Sequence, residues 1–289
     1  MSKAQRTPRP TDVRRHQRRL WTRTASGRTQ VQQSGAVLSS VTDRIIRDAC
    51  VKPGMRVLDV ACGAGNPSLD LAQIVGSRGM VVGIDITPAM IELARCEASE
   101  AGIQNVRFEV VENETVPYSI EQDFDVVSCR FGLMFMPDPL AALIAWRKVL
   151  KAGGRVSICT HATLPAFYVT MMIVERLAPA VAKELRWRDV LSLSSPSTIL
   201  ALCADAGFID IRVNSETQPH IGGNSVSEGW SSMIRRSPLY SELLALPPVL
   251  SDSIRDACID ELSSQASHKS IAQIFGGSVL YANARKPYL

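Results

Sequence analysis

The segment Val57-Leu58-Asp59-Val60-Ala61-Cys62-Gly63-Ala64-Gly65-Asn66-Pro67 passes from an apolar run into a glycine turn and on into a helix start. Glycines at 63 and 65 let the backbone come close to a ligand. Asn66 can cap the helix and Pro67 can be its first residue, leaving free N–H groups facing that ligand. Twenty-two residues beyond Gly63, Asp85 ends a second apolar run in Gly83-Ile84-Asp85-Ile86-Thr87-Pro88. An acid there can accept both hydroxyls of a ribose. Thr87, directly before Pro88, reads as the cap of the next helix. A third run ends in Glu112-Asn113-Glu114, where a side-chain acceptor can take an adenine amino group.

A nicotinamide dinucleotide and S-adenosylmethionine both fit a glycine turn with an acid at this distance. Three features tilt the choice. Ser68 stands where the dinucleotide pattern has its third glycine. Asp59, at the end of the first strand, suits a cationic amino acid better than a pyrophosphate, because like charges repel. The Glu112-Asn113 pair offers acceptors at the adenine edge.

Elements that can hold these residues alternate along the chain. Arg56–Ala61, Met80–Ile86, Val106–Glu112, Phe124–Arg130 and Arg155–His161 read as strands. They are continuous apolar runs, as expected for strands covered on both faces. Helices are expected over Ser39–Cys50, Pro67–Val75, Pro88–Ala101 and Pro139–Leu150, the last three opening on a proline where a missing N–H costs nothing. Such alternation means a parallel sheet with right-handed crossovers. After His161 the rhythm changes. Helical stretches near 163–195 and 225–270 interrupt the later part of the sheet, around a helix at Ser197–Ala206 and strands at Phe208–Gln218 and Ser278–Lys286. Insertions that follow strand C-termini lie over the ligand face of such a sheet and read as a substrate lid.

The 289 residues are 46% AVILMFWYC, enough to bury a large core. No run approaches the roughly 18 apolar residues that span a bilayer, and no apolar segment follows the Arg-rich start as a secretory signal requires. Seven scattered cysteines without a CxxC argue against a disulfide framework or structural zinc, and no ligand cluster suggests a catalytic metal. The expectation is a cytoplasmic protein with reduced thiols and no metal. The formal charge of +4 is unevenly spread. Residues 1–30 hold nine Lys/Arg against the single acid Asp12, and the remainder holds 23 basic against 27 acidic residues. Residues 1–30 therefore read as a basic arm, a solvated tail with a helix over Thr11–Arg23. Nucleic-acid binding is disfavoured because the body is acidic.

These motifs together resemble the class I S-adenosylmethionine-dependent methyltransferases, and among them the ubiquinone/menaquinone-biosynthesis type that acts on small molecules. The likeness runs through Val57–Gly65, Gly83–Met90 with Ile91-Glu92-Leu93-Ala94-Arg95, Val111–Pro117, and Phe124–Pro139 with Arg130-Phe131-Gly132-Leu133-Met134-Phe135-Met136-Pro137-Asp138-Pro139. It continues in Val149–Arg155 and Ala206-Gly207-Phe208. The resemblance implies an α/β fold, a seven-stranded Rossmann-like doubly wound sheet in order 3-2-1-4-5-7-6 with the last strand antiparallel. Residues 31–289 would form this methyltransferase domain with its lid insertions. Ala61, Gly63 and Gly65 would cradle the methionine part, with Asp59 facing its amino group. Asp85 would hold the ribose, Ile86 and Met90 would pack on the adenine, and Glu112 and Asn113 would read its edge. Arg130 would flank the methionine through its backbone. Two departures stand out: Ala61 replaces the family's first glycine, and Glu112-Asn113 replaces the commoner Asp-Ala.

Methyl transfer from a sulfonium needs mainly alignment and exclusion of water, with a base only if the acceptor must lose a proton. His161, at the end of the fifth strand, is the catalytic candidate, with Tyr168 second; His220 and His268 read as surface residues. Phe167, Met171, Met172, Trp187, Trp230, Met233 and Tyr240 suggest an apolar pocket for a lipophilic biosynthetic acceptor, and Arg186, Arg188, Arg235 and Arg236 could neutralise an acidic one. The expected partner is a small-molecule acceptor, with no membrane insertion, and self-association through the arm or lid helices stays open. Two other readings stay open as well. One is a tRNA or rRNA methyltransferase, weakened because Arg130-Phe131-Gly132-Leu133 is not the Asn/Asp-Pro-Pro-aromatic turn that grips a flipped base. The other is a non-methylating cyclase that keeps the cofactor as a scaffold.

Overall fold

The computed structural model describes residues 9–25, 39–112, 116–117, 120, 122–218, 223–235 and 237–288. Seven strands form one sheet in the order β3-β2-β1-β4-β5-β7-β6. They are β1 (Arg56–Val60), β2 (Met80–Asp85), β3 (Val106–Val110), β4 (Phe124–Arg130), β5 (Leu150–Thr163), β6 (Ile209–Gln218) and β7 (Gly277–Arg285). The first five run parallel, and β7 lies antiparallel between β5 and β6. This is the order the resemblance implied. Strand β5 begins five residues earlier than its apolar pattern, because Leu150 already pairs with Phe124 before a register shift brings Arg155 opposite Val126.

Helices α2 (Ser39–Asp48), α3 (Ser68–Val75), α4 (Pro88–Glu100) and α5 (Pro139–Val149) flank the sheet. Asp138 caps α5 by accepting from the Ala141 N–H at 2.9 Å. Pro67 takes the N-cap position of α3, so the helix starts at Ser68, and Thr87 precedes α4 without a side-chain capping bond. The main core lies between β1, β4, β5 and α5 and is centred on Leu58, Phe124, Leu143 and Trp146, all fully buried.

The later helices are α6 (Pro165–Leu177), α7 (Pro179–Leu185), α8 (Pro196–Asp205), α9 (Val226–Arg235), α10 (Leu239–Leu244), α11 (Pro248–Ala266) and α12 (Ile271–Phe275). Helix α12 lies outside the expected segments. Its Ser270-x-x-Gln273 capping box, with both reciprocal bonds made, is the sequence signal that marks it. Except for α8, these helices follow the C-terminal ends of β5 and β6 and share one apolar cluster, including Met171, Val174, Trp230, Ile254 and Leu262. None of the described helices is long and apolar enough to cross a membrane.

Residues 10–25 are no solvated tail. Helix α1 (Pro10–Ala25) buries Val13, His16, Gln17, Leu20 and Ala25, and Leu20 joins the apolar cluster of the lid. The spacing of positions 13, 16, 17 and 20 puts them on one helical face, which is why a segment dense in arginine still docks.

Candidate functional site

The turn after β1 is shaped by its own residues and by β4. Ala61 and Gly63 both hold left-handed backbone, at φ of 55° and 54°, and Gly65 sits at φ 103°. A side chain at Gly63 would meet no protein atom within 4 Å, so this position opens onto free space at the strand tips. Ala61 tolerates its strained φ beside Gly132, where a Cβ would come within 2.5 Å of the Ala61 methyl. The Ala61 departure from the family pattern is thus accommodated by a glycine in the loop that follows β4.

Asp59 lies beneath the turn. Ser68 and Ser128 hydroxyls donate to its two oxygens at 2.5 and 2.6 Å, and it is fully buried. Burial pushes its carboxyl up to about 6, opposed by these two hydroxyls. With no exposed surface and both oxygens engaged, Asp59 anchors the turn from below. Its expected role toward a ligand's amino group would have to act from this buried position beneath the turn.

Asp85 is the hub of the site. Its Oδ2 accepts from the Gly63 N–H at 3.1 Å and its Oδ1 from the Thr87 N–H at 2.8 Å. Burial raises its pKa, and the backbone donors at Thr87 and Gly63 pull it back. Each oxygen keeps a further lone pair, the donor–acceptor chemistry that a pair of ribose hydroxyls requires. Ile86 is half-buried and Met90 buried beside it. The Val111 N–H donates to the Asp85 carbonyl at 2.9 Å, bringing the tip of β3 and the exposed Glu112 to the same edge. Asn113 lies outside the described residues.

Arg130, at the end of β4, turns its guanidinium back onto the turn. It donates to the Asn66 carbonyl at 2.7 Å and to Thr42 Oγ1 at 2.8 Å. The next residue, Phe131, is left-handed at φ 55° and stacks on His161 with ring centroids 4.2 Å apart and planes 13° from parallel. His161 Nδ1 is buried without a hydrogen-bond partner, and burial lowers the imidazole pKa to about 4. The ring is neutral at pH 7 and keeps an unengaged nitrogen. Tyr168 and Met172 are both exposed on α6, and the Tyr168 ring stands edge-on to Trp187 at 5.4 Å.

The candidate anion-binding cations are largely spoken for. Arg186 bonds Asp189 at 2.7 Å, and Arg188 bonds Glu175 at 2.9 Å while lying over the Trp187 ring. Arg235 is exposed at the end of α9, and Arg236 lies outside the described residues, as does His220. His268 is exposed.

Helix α1 contributes residues that the motif reading passed over. Arg18 Nε donates to the Ile86 carbonyl at 2.8 Å, and Trp21 meets Phe135 edge-on at 5.7 Å. On the lid side Arg23 bonds Glu242 at 2.5 Å, and His16 Nδ1 lies 3.8 Å from Glu184. The helix therefore bridges the β2 tip and the lid. Its signal was the apolar stripe within the basic run, which net charge conceals.

The residues fit an adenosyl amino acid. Gly63 supplies a cradle open to a ligand, Asp85 supplies acceptors for a diol, and Ile86 and Met90 supply apolar surface beside them. Comparison with known proteins agrees. The family described as a methyltransferase domain matches residues 51–195. The demethylmenaquinone methyltransferase of Staphylococcus aureus (strain MRSA252) is 33% identical over 187 residues, covering 60% of this chain and 76% of that protein. Among solved structures, the YcgJ protein from Bacillus subtilis aligns with a TM-score of 0.57 at 22% identity, covering 85% of this chain and 97% of that one. Phosphoethanolamine N-methyltransferase 2 of Haemonchus contortus, solved with phosphomonomethylethanolamine and S-adenosylhomocysteine, aligns with a TM-score of 0.57 at 20% identity, covering 93% of this chain and 60% of that one. At these identities the two structures speak for the fold alone.

Proposed function

The chain belongs to the methyltransferase domain family and is an S-adenosylmethionine-dependent methyltransferase; from that premise we propose that its acceptor is a small lipophilic molecule of a biosynthetic pathway. When bound, S-adenosylmethionine supplies a methyl group already activated on a sulfonium. The chain's own task is to hold, orient and dehydrate. Asp85 would hold the ribose, Gly63 and Gly65 would admit the methionine part, and Ile86 and Met90 would pack on the adenine, with Glu112 and Asn113 at its edge. Arg130 would keep the turn in shape.

The observation that carries the acceptor reading is the apolar lid. Helices α6, α7 and α9–α12 and Leu20 of α1 form one hydrophobic cluster at the strand edge that carries the turn. The half-buried residues packed against it include Phe167, Met233 and Tyr240. A lid of this composition favours an apolar acceptor and keeps water from it. The relative's name adds support: demethylmenaquinone is itself a lipophilic ring compound. His161, neutral and with an unpartnered Nδ1, would take the proton of an acceptor that must lose one.

A nucleic-acid acceptor is disfavoured by α1. Arg18, Arg19 and Arg23 are turned to the Ile86 carbonyl, Glu184 and Glu242 of the body. The seven free cysteines suit a reducing, cytoplasmic setting. The test is incubation with methyl-labelled S-adenosylmethionine and a panel of quinones, phenols, amines and RNA, followed by mass spectrometry. Label in a lipophilic small molecule, with S-adenosylhomocysteine released in equal amount, supports the reading. Label only in RNA, or acceptor conversion without S-adenosylhomocysteine, overturns it.

A further inference from the structure

We infer that Thr42 is a positioning residue for the cofactor: from α2 its hydroxyl locks the Asn66 side chain and the Arg130 guanidinium, and through them the glycine turn. The inference rests on the reading of that turn as the S-adenosylmethionine site. Thr42 precedes residue 51, so it lies outside the span that matches the family.

The geometry is a closed ring of bonds. Arg130 Nη1 donates to Thr42 Oγ1 at 2.8 Å, and Thr42 Oγ1 donates to Asn66 Oδ1 at 3.2 Å. Arg130 Nη2 donates to the Asn66 carbonyl at 2.7 Å, closing the ring. Asn66 Nδ2 donates to Asp70 Oδ2 at 2.6 Å, tying the ring to the first turn of α3. A threonine hydroxyl has one proton to give and lone pairs to receive, and both are used here. Thr42 is 1% exposed, so neither bond is replaced cheaply by water.

Asn66 directly follows Gly65 and leads into α3, so it fixes where the turn ends. Arg130 directs its bonds at neutral oxygens, with Asp59 and Asp70 stabilising its charge through space. Without the Thr42 hydroxyl, Arg130 loses an acceptor and the Asn66 amide loses the bond that sets its orientation. The helix itself stays docked by other means. Val41 and Ile45 pack on Cys159, Val279 and Tyr281, the Ser157 hydroxyl donates to the Ile45 carbonyl at 3.1 Å, and Asn283 bonds Asp48. Thr42→Val keeps the volume and removes only the hydroxyl.

The experiment titrates S-adenosylhomocysteine into wild type, Thr42→Val, Thr42→Ser, Asn66→Ala and the Thr42→Val/Asn66→Ala double variant by calorimetry, with melting temperature measured on each. Thr42→Val should raise the dissociation constant about tenfold, the scale of one lost hydrogen bond. Thr42→Ser should stay within about twofold of wild type, and the double variant should bind no worse than Asn66→Ala alone. Melting temperature reports general damage: losing two buried bonds should lower it by a few degrees for Thr42→Val, with affinity then read on protein that is fully folded at the titration temperature. Wild-type affinity in Thr42→Val, failure of serine to restore binding, or independent losses in the double variant overturns the positioning role. If Thr42→Val does not fold, the serine and Asn66→Ala titrations decide alone: Asn66→Ala binding like wild type overturns it. Wild type that fails to bind S-adenosylhomocysteine overturns instead the cofactor reading underneath.

Discussion

Gly63 and Asp85, on two different strand tips, are joined by a 3.1 Å hydrogen bond in which the Gly63 N–H donates to Asp85 Oδ2. The bond couples the glycine turn to the acid at the end of β2, so the cradle for one end of the ligand and the acceptor for its ribose form one rigid unit.

Replacing Asp85 by alanine should therefore act twice, removing the ribose acceptor and freeing the turn. The expected loss in S-adenosylhomocysteine affinity is about 2–3 kcal/mol, the scale of hydrogen bonds to a charged group. Calorimetric titration checks it, and an unchanged dissociation constant would remove Asp85 from the ribose contact.

His161→Ala should leave cofactor affinity intact while turnover falls about 10²-fold, the lower range for loss of a positioned base. The acceptor found by the labelling screen serves as substrate. Turnover within about threefold of wild type would exclude His161 as the base.

The same histidine bears on stability. Its folded pKa of about 4 lies below the ordinary value of 6.5. Between those values the unfolded chain binds more protons than the native one, so stability rises with pH through this window and is lost as pH falls toward 4. His161→Phe removes this contribution and should flatten the acid limb of the unfolding profile over pH 4–6.5. Denaturant titrations at several pH values report it, and an identical pH dependence in the variant would show that His161 is not buried as neutral imidazole.

Gly132→Ala should destabilise the fold by about 1–3 kcal/mol, because the added methyl lies 2.5 Å from Ala61 Cβ and 2.8 Å from Cys129 Sγ. Combining it with Ala61→Gly should recover part of the loss, leaving the cysteine contact. Equal stability of the single and double variants by urea unfolding would show that Ala61 and Gly132 do not compete for this space.

Leu20→Ala tests the docking of α1. The side chain is 5% exposed and packs in the lid cluster, so the cost should be about 2–5 kcal/mol. A solvated arm would show no change in the urea midpoint.

Much of the sheet was legible because its strands are covered on both faces and read as unbroken apolar runs. Phe124–Arg130 has the same bounds in sequence and structure. Gly63 and Asp85 were legible as a pair because a strand–turn–helix unit sets their separation. Thr42, Arg18 and Trp21 were not, because each reaches the site from an element distant in sequence, and only packing brings them there. Asp59 was legible in position only: its burial under Ser68 and Ser128 depends on β4 and α3 together.

The central claim is that the strand tips joined through Gly63 and Asp85 hold an adenosyl amino acid. Calorimetric titration of the wild-type protein with S-adenosylhomocysteine, repeated with NAD as competitor, tests it most directly. Saturable binding of one equivalent that NAD does not displace is the expected result; no binding, or displacement by the dinucleotide, would contradict it.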